Sequence, residues 1–323
     1  MRAEMAPGPV GRRWTAARLV AGHGAAVCLS LYLVVKLIWV VAGLFGAVPS
    51  DVGGAAWIVL NTVTVGMAAV GIALGLALAR GPGRGKPAAP LLLIAWIGAG
   101  FLVPMLPYMV VSAFIGDGAG AGGGGSGGEE SMPTWEAAFL GIGFMGMAAG
   151  LAVALPIYLR ERWPEAFVGR LGGDVPAAGR AHVRSVLVMC LCLAAMWAYW
   201  AVGGTLGMDP GQRHRMNADA RLLLGNSALW ALIGAWAVAT RRPGTPTWLP
   251  TALGFTASGS LFAWSAWKLP LVFLRPGDYA PAERPAVAVV QHGLGIAAGA
   301  LLLSALVKAV GAAESRAARR GSP

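Results

Sequence analysis

Charge is what this sequence has least of. Only 12% of its 323 residues are charged, against a hydrophobic share of 57% and a mean hydropathy of +0.65. Soluble domains carry about 25% charged residues. A chain this long with half that share reads as a membrane protein with many spans. Cysteine is scarce too. Cys28, Cys190 and Cys192 all lie in apolar runs, and Cys-Leu-Cys is not metal-ligand spacing. They read as small buried residues. No Gly-x-Ser-x-Gly elbow is present, and no Gly-rich loop sits between a strand and a helix with a Lys-Ser/Thr ending. All 14 acidic residues fall in loops, tails or the ends of apolar runs. That argues against a carboxylate proton relay or a sodium site within the membrane. No catalytic residue, metal ligand or cofactor is therefore assigned.

What is present is apolar length. A hydrocarbon core of about 30 Å needs about 20 helical residues. Eight segments qualify: 25–46, 55–79, 90–115, 134–158, 185–207, 220–240, 248–273 and 286–310. They are continuous apolar runs rather than ten-residue alternations, which excludes a β-barrel. The first contains Lys36 and is long enough to span, so it is expected to be retained rather than cleaved. The expected fold is all-α and polytopic, with eight transmembrane helices.

With the N-terminus inside, the inner segments hold 18 of the 25 basic residues and the outer segments five: Arg213, Arg215, Arg221, Arg275 and Arg284. Lys36 and Lys268 lie within spans. This asymmetry predicts both termini on the cytoplasmic side. The expected location is a bacterial plasma membrane, since Ala, Gly, Pro and Arg richness suggests a high-GC bacterial gene. The net charge of +11 borders the spans on one face, so anionic headgroups, not nucleic acid, are the expected neighbours. A homo-oligomer or a membrane partner protein stays open. The Gly-rich run 116–132 reads as a flexible external linker. The 158–184 loop, with the linker 164–184, reads either as a segment lying in the interface, Trp163 and Phe167 inward and the arginines at the headgroups, or as a plain basic loop. Residues 1–24 read as a cytoplasmic segment and 312–323 as a disordered tail.

The chain also resembles itself. "IWVVAGLFG" (38–46) and "YWAVGGTLG" (199–207) align at an offset of 161, matching Trp39 with Trp200, Gly43 with Gly204 and Gly46 with Gly207. The same offset pairs Arg80, Pro82 and Gly83 with Arg241, Pro243 and Gly244, and Gly116-Asp117 with Gly277-Asp278. Leu106-Pro107 pairs with Leu269-Pro270 at 163. Two four-helix repeats, 25–163 and 185–311, are expected. An even number of spans per unit makes them parallel. "AYWAVGGTLGMD" (198–209) resembles the opening signature of an uncharacterised family of small four-helix bacterial membrane proteins. Tyr199, Trp200, Gly203, Gly204, Thr205 and Gly207 carry the likeness, which covers about residues 185–310. The resemblance implies architecture and no activity. Trp39 and Gly43, like Trp200 and Gly204, are four apart, so they and Gly203 are expected in helix packing.

Polar residues inside spans are the usual pointers to function. Lys36, Lys268, His292, Gln291, Asn61 and Asn226 are the candidate ligand-binding residues, and most lie toward the outer side. Lys36 is about 16 Å from the inner end of its expected span, beyond the reach of a lysine stem. Lys268 is nearer the outside but its side chain tilts inward along the helix. Without a deep carboxylate, each lysine is neutral, faces water or meets an anion. Pro107 and Pro270 are expected to kink spans three and seven. These features suit transport or binding of a small anionic or amphipathic molecule in an outward-facing cavity. A structural, sensory or accessory protein working through a partner is the alternative. An intramembrane enzyme acting on a lipid or quinone through His292 and Lys268 comes third.

Overall fold

A computed structural model describes residues 11–47, 54–82, 89–115, 134–168, 170–171, 178–240, 244–275 and 280–321. The Gly-rich run 116–132 and the repeat residues Gly83, Gly116-Asp117, Arg241, Pro243 and Gly277-Asp278 lie outside them. The described chain is helical, with only two isolated β-bridges. The elements are α1 (Arg12–Leu44), α2 (Gly54–Arg80), α3 (Ala89–Leu102), α4 (Met105–Ile115), α5 (Thr134–Arg162), α6 (Pro164–Phe167), α7 (Arg180–Ala201), α8 (Ala218–Ala239), α9 (Trp248–Leu274) and α10 (Pro285–Gly321).

Seven described helical stretches are long and apolar enough to cross a membrane: Arg12–Leu44, Trp57–Arg80, Ala89–Ser112, Thr134–Arg162, Arg180–Ala201, Ala218–Ala239 and Pro285–Ala312. In five of them only 28% of the most apolar window is buried in the protein. Their apolar surface faces outward, which a membrane covers and water does not. The eighth expected span is α9. It is a 27-residue helix, but Ser258, Ser260, Ser265 and Lys268 make it less apolar than the rest.

Several boundaries differ from expectation. Residues 12–24 belong to α1 rather than to a separate segment, and 312–321 continue α10 as helix rather than a disordered tail. The third span breaks at Val103-Pro104, not at Pro107. Pro107 sits in the first turn of α4, where its missing N–H removes no helical bond. Pro104 stands between the two helices, where its ring and absent donor interrupt the ladder. The fifth span stops at Ala201.

Small residues set the packing. On α5, Gly143, Gly146 and Gly150 lie against Tyr32, Cys28 and Ala25 of α1, and a Cβ at any of the three would overlap that helix. Gly22 of α1 meets Gly75 and Ala79 of α2 in the same way. These contacts make one core from α1, α2 and α5, with Phe167 of α6 buried in it. Helices α7 to α10 form the second core. The pairs α1–α2, α1–α5, α7–α8, α8–α9 and α9–α10 all run antiparallel, as their facing residues show. Helix α3 gives Ala95 and Ala99 to the first core and bridges to the second. It packs chiefly on α9, runs parallel to it, and touches it backbone to backbone at Gly100 and Gly259. Trp96 of α3 donates its indole N–H to Ser258 Oγ at 2.9 Å across this seam.

The end of the bundle that holds the start of α1 is locked by Arg18. Its guanidinium pairs with Glu161 of α5 at 3.0 Å, both side chains being nearly buried. It also donates to the carbonyls of Leu78 and Ala79 in the last turn of α2. A helix C-terminus carries free carbonyls and partial negative charge, so Arg18 caps α2 from another helix. Gly81 follows at φ +79, and a Cβ there would lie 2.8 Å from the guanidinium.

Candidate functional site

The six polar candidates fall at one level, toward the end of the bundle opposite Arg18. They do not form one site. They form three.

The first is around Lys36, eight residues before the end of α1. Its ammonium donates to Asn61 Oδ1 on α2 at 3.1 Å. It lies 4.0 Å from the Trp39 ring centroid and 5.5 Å from that of Tyr32. Trp39 in turn donates its indole N–H to Glu136 Oε2 at 2.9 Å and stacks at 5.3 Å on Trp57. Two aromatic faces and one amide oxygen replace water around the ammonium. Lys36 is therefore partnered, contrary to expectation. Glu136 is in the first turn of α5, which the helix dipole favours, and the antiparallel register of α1 on α5 sets it opposite Trp39, one turn beyond Lys36. Gly43, one turn further along α1, lies against Ile58 and Trp57.

The second is Asn226 on α8, which is buried. Its Nδ2 donates to the carbonyl of Pro104 at 2.9 Å, and Trp230 Nε1 donates to the same oxygen at 3.2 Å. The break between α3 and α4 exposes that carbonyl, and α8 satisfies it. Next to this contact lies a cavity of about 540 Å³ between α4 and α8. Tyr108, Ser112, Asp219, Arg221, Asn226 and Leu229 line it, and most of the remaining wall is apolar. Tyr108 donates its hydroxyl to Asp219 Oδ2 at 2.6 Å, joining α4 to the first turn of α8. Of these residues only Asn226 was among the sequence candidates. Tyr108 and Asp219 are 111 residues apart, and nothing in either local sequence announces the pair.

The third lies on α9 and α10. Ser265 and the Leu261 carbonyl press on Gly295, and Phe262 and the Ser258 carbonyl press on Gly299. This antiparallel register, carried one turn outward, sets Lys268 opposite His292, and the two lie within electrostatic range. His292 and Gln291 are only 4% and 3% exposed. Among the described residues, His292 Nδ1, Gln291 Oε1 and the Trp264 indole nitrogen have no hydrogen-bond partner. Lys268 Nζ stands 5.9 Å from the Trp264 ring centroid, so the side chain follows the helix inward tilt. Neither Lys36 nor Lys268 lines the α4–α8 cavity.

Trp200 packs in the second core and Trp39 against the first, as expected, but Gly203 and Gly204 do something other than helix packing. Gly203 and Gly204 stand past the end of α7. Gly203 adopts φ +97, and Gly204 N–H closes the helix on the Tyr199 carbonyl at 2.8 Å, a Gly-based C-cap. The Tyr199 ring covers Gly204 and leaves no room for a Cβ. Trp200, 1% exposed, donates to the Leu206 carbonyl at 2.8 Å. The loop then pairs with 282–284: Asp209 N–H to Ala282 O at 3.0 Å, and Arg284 N–H to Gly207 O at 2.9 Å. The signature builds a rigid cap over the second core. A Gly-Gly pair one residue after an apolar helix is itself a C-cap signal, and it could have been read so.

Among the described residues no group of His, Cys, Asp and Glu could hold a metal ion. Comparison with protein-family models, curated proteins and solved structures finds no match to this chain, so its chemistry rests on the geometry above.

Proposed function

We propose that this protein is an eight-span membrane protein, two fused four-helix halves, that binds a small amphipathic or anionic molecule in an outward-facing cavity between the halves. The antiparallel order of neighbouring helices, with α3 and α4 as one broken span, supports eight crossings. The parallel contact of α3 with α9 supports two parallel repeats, because these are the third helices of each half. Gly46 and Gly207, paired by the repeat, both adopt left-handed backbone, φ +84 and +82. The resemblance of 198–209 to the opening signature of small four-helix bacterial membrane proteins agrees with this reading of the second half. The basic ends of the helices then face the cytoplasm of a bacterial cell.

The observation that carries the reading is the α4–α8 cavity. Its volume lies within the range of about 300–1,000 Å³ usual for small-molecule sites. It opens at the seam between the halves, its wall is largely apolar, and Arg221 and Asp219 stand at its rim. An apolar body would fill it while a charged end met Arg221. Helix α4, joined to α3 only through the Val103-Pro104 break, covers one side and is latched by Tyr108 on Asp219. A discontinuous span at a cavity is where irregular backbone is tolerated in a membrane.

Native mass spectrometry of the full chain tests this. Wild-type protein is expected to carry a stoichiometric amphiphile. Gly225→Leu is expected to lose it, because a Cβ at Gly225 meets only Ala201 at 3.9 Å and a leucine there extends into the cavity. Equal loading of the two proteins, or no amphiphile on either, would sink the reading and favour a scaffold role.

A further inference from the structure

The α4–α8 cavity is open along one side, and that opening bears on what fills it. Leu229 and Val111 line it, yet they are 47% and 38% exposed. Leu229 stands ~16 Å along α8 from Ala218, at 1.5 Å rise per residue. At that depth a span is surrounded by hydrocarbon, not water. Val110 and Phe114 of α4 are exposed as well. The cavity therefore opens sideways into the bilayer as well as outward.

The polar groups along its depth are already engaged. Asn226 Nδ2 and the Trp230 indole donate to the Pro104 carbonyl, and the Ser112 hydroxyl donates to the Met109 carbonyl at 3.2 Å. The mouth differs. Asp219 and Arg221 are two residues apart on α8, so they do not face each other. They form no ion pair; among the described residues the only one is Arg18 with Glu161. Asp219 is held on the α4 side by Tyr108, which takes Oδ2 and leaves Oδ1. Arg221 lies on the α7 side. A Cβ at Gly203 would stand 3.6 Å from its Nη2, and Ala201, the last residue of α7, lines the same cavity. Its guanidinium gives no hydrogen bond to any described residue. Opposite charges thus stand on opposite sides of the mouth, both exposed.

We infer that the cavity holds a phospholipid of the outer leaflet whose head carries a phosphate and a primary ammonium, and that it enters sideways from the bilayer. This rests on the outward-facing seam cavity proposed above and names its occupant. The phosphate meets Arg221, whose planar fork suits two phosphate oxygens. The ammonium donates one of its three N–H groups to Asp219 Oδ1. One acyl chain lies along Leu222, Leu229 and Val111, and the open side leaves the other chain in the bilayer. A head with an anion alone leaves Asp219 unmatched, and a quaternary ammonium has no N–H to give.

The full chain, stripped of lipid, is returned to vesicles of equimolar phosphatidylethanolamine, phosphatidylglycerol and phosphatidylcholine with matched chains. Native mass spectrometry then reads the retained lipid. Phosphatidylethanolamine is expected to be enriched about fivefold over each of the others, the upper reach of an exposed ion pair. Asp219→Asn, which keeps an acceptor for Tyr108, is expected to bring the three to parity. Arg221→Gln is expected to lower retention of all three several-fold. Arg213→Gln removes an exposed outer cation that does not line the cavity, and retention is expected to stay as in wild type. Parity in the wild type, or an undiminished preference in Asp219→Asn, overturns the proposal. Soluble glycerophosphoethanolamine is expected to leave the bound lipid in place; displacement would assign the head-group chemistry to a soluble ligand and overturn sideways entry. A phosphatidylethanolamine with a photoreactive chain gives a readout on wild-type protein alone. Labelling of α4 and α8 peptides supports the site, and labelling confined to other helices overturns it. If the wild type instead retains a different amphiphile that Gly225→Leu loses, the seam cavity stands and this assignment of its occupant falls.

Discussion

Arg18 and Glu161 are paired, yet they should not be equally important. Among the described residues Glu161 has one partner, the guanidinium. Arg18 has three: Glu161, the Leu78 carbonyl and the Ala79 carbonyl. Breaking a buried ion pair from one side costs about 3–5 kcal/mol, because the other charge is stranded. Glu161→Ala strands a guanidinium that still donates to two carbonyls, so its cost should fall at the low end, about 3 kcal/mol. Arg18→Ala strands the carboxylate and also uncaps α2. A buried carbonyl left unsatisfied costs about 1–3 kcal/mol, and water at the bundle end reduces this for two adjacent carbonyls to about 1–2 kcal/mol together. Arg18→Ala should therefore cost about 4–5 kcal/mol, roughly 1–2 kcal/mol more than Glu161→Ala. The double variant Arg18→Met/Glu161→Leu should recover the ion-pair share, since apolar replacement of a buried pair is commonly neutral. It should keep the uncapping loss. Reversible unfolding in mixed micelles, scored for the two single variants and the double, measures all three. If Glu161→Ala costs as much as Arg18→Ala, the cap is not contributing and the reasoning fails. Gly81→Ala provides an independent check, because it strains φ +79 and pushes a Cβ against the same guanidinium. It should cost about 1–2 kcal/mol from backbone strain alone.

Two other expectations follow from the same geometry. At the Lys36 cage, Lys36→Met should be nearly neutral in unfolding assays, because methionine keeps the apolar stem against Trp39 and Tyr32. Asn61→Leu should destabilise by about 1 kcal/mol by removing the amide acceptor from a half-buried cation, and the order of these two variants is the readout. At the seam, Gly100→Ala would force a methyl into the backbone of Gly259. Overpacking of this kind costs about 1–3 kcal/mol, and cysteine cross-links placed between α3 and α9 should form more slowly. Unchanged cross-linking would place the seam contact elsewhere.

Much of the architecture was legible in the chain because the membrane simplifies the problem. A bilayer requires every backbone group to be satisfied within its own helix, so long apolar runs translate directly into helices. The all-helical fold, seven of the long apolar helices and the concentration of polar residues toward one end followed from local composition. The breaks did not. Pro104 and Pro107 both lie in the third run, and only Pro104 interrupts it, because Pro107 falls in the first turn of a new helix where its missing donor is harmless. The tryptophan-glycine signature was visible, but spacing four residues apart fits a helix face and a helix end equally well. The left-handed backbone at Gly203 decided between them.

The sequence by itself determined that this is a helical membrane protein with few intramembrane charges and with basic residues gathered at one set of helix ends. Composition and run length suffice for that, since they report how each segment partitions between water and lipid. Tertiary structure alone decided what each polar residue does. Lys36 looked unpartnered because its acceptor Asn61 lies on α2, and Glu136, which holds the neighbouring Trp39 ring, lies on α5. Asn226 looked like a ligand group until the carbonyl it satisfies, 122 residues away, was placed beside it. Lys268 and His292 meet only through the register of α9 on α10, which glycines at 295 and 299 fix by close approach. Hydrogen bonds are short-ranged, and which groups come within reach depends on packing between helices far apart in the chain.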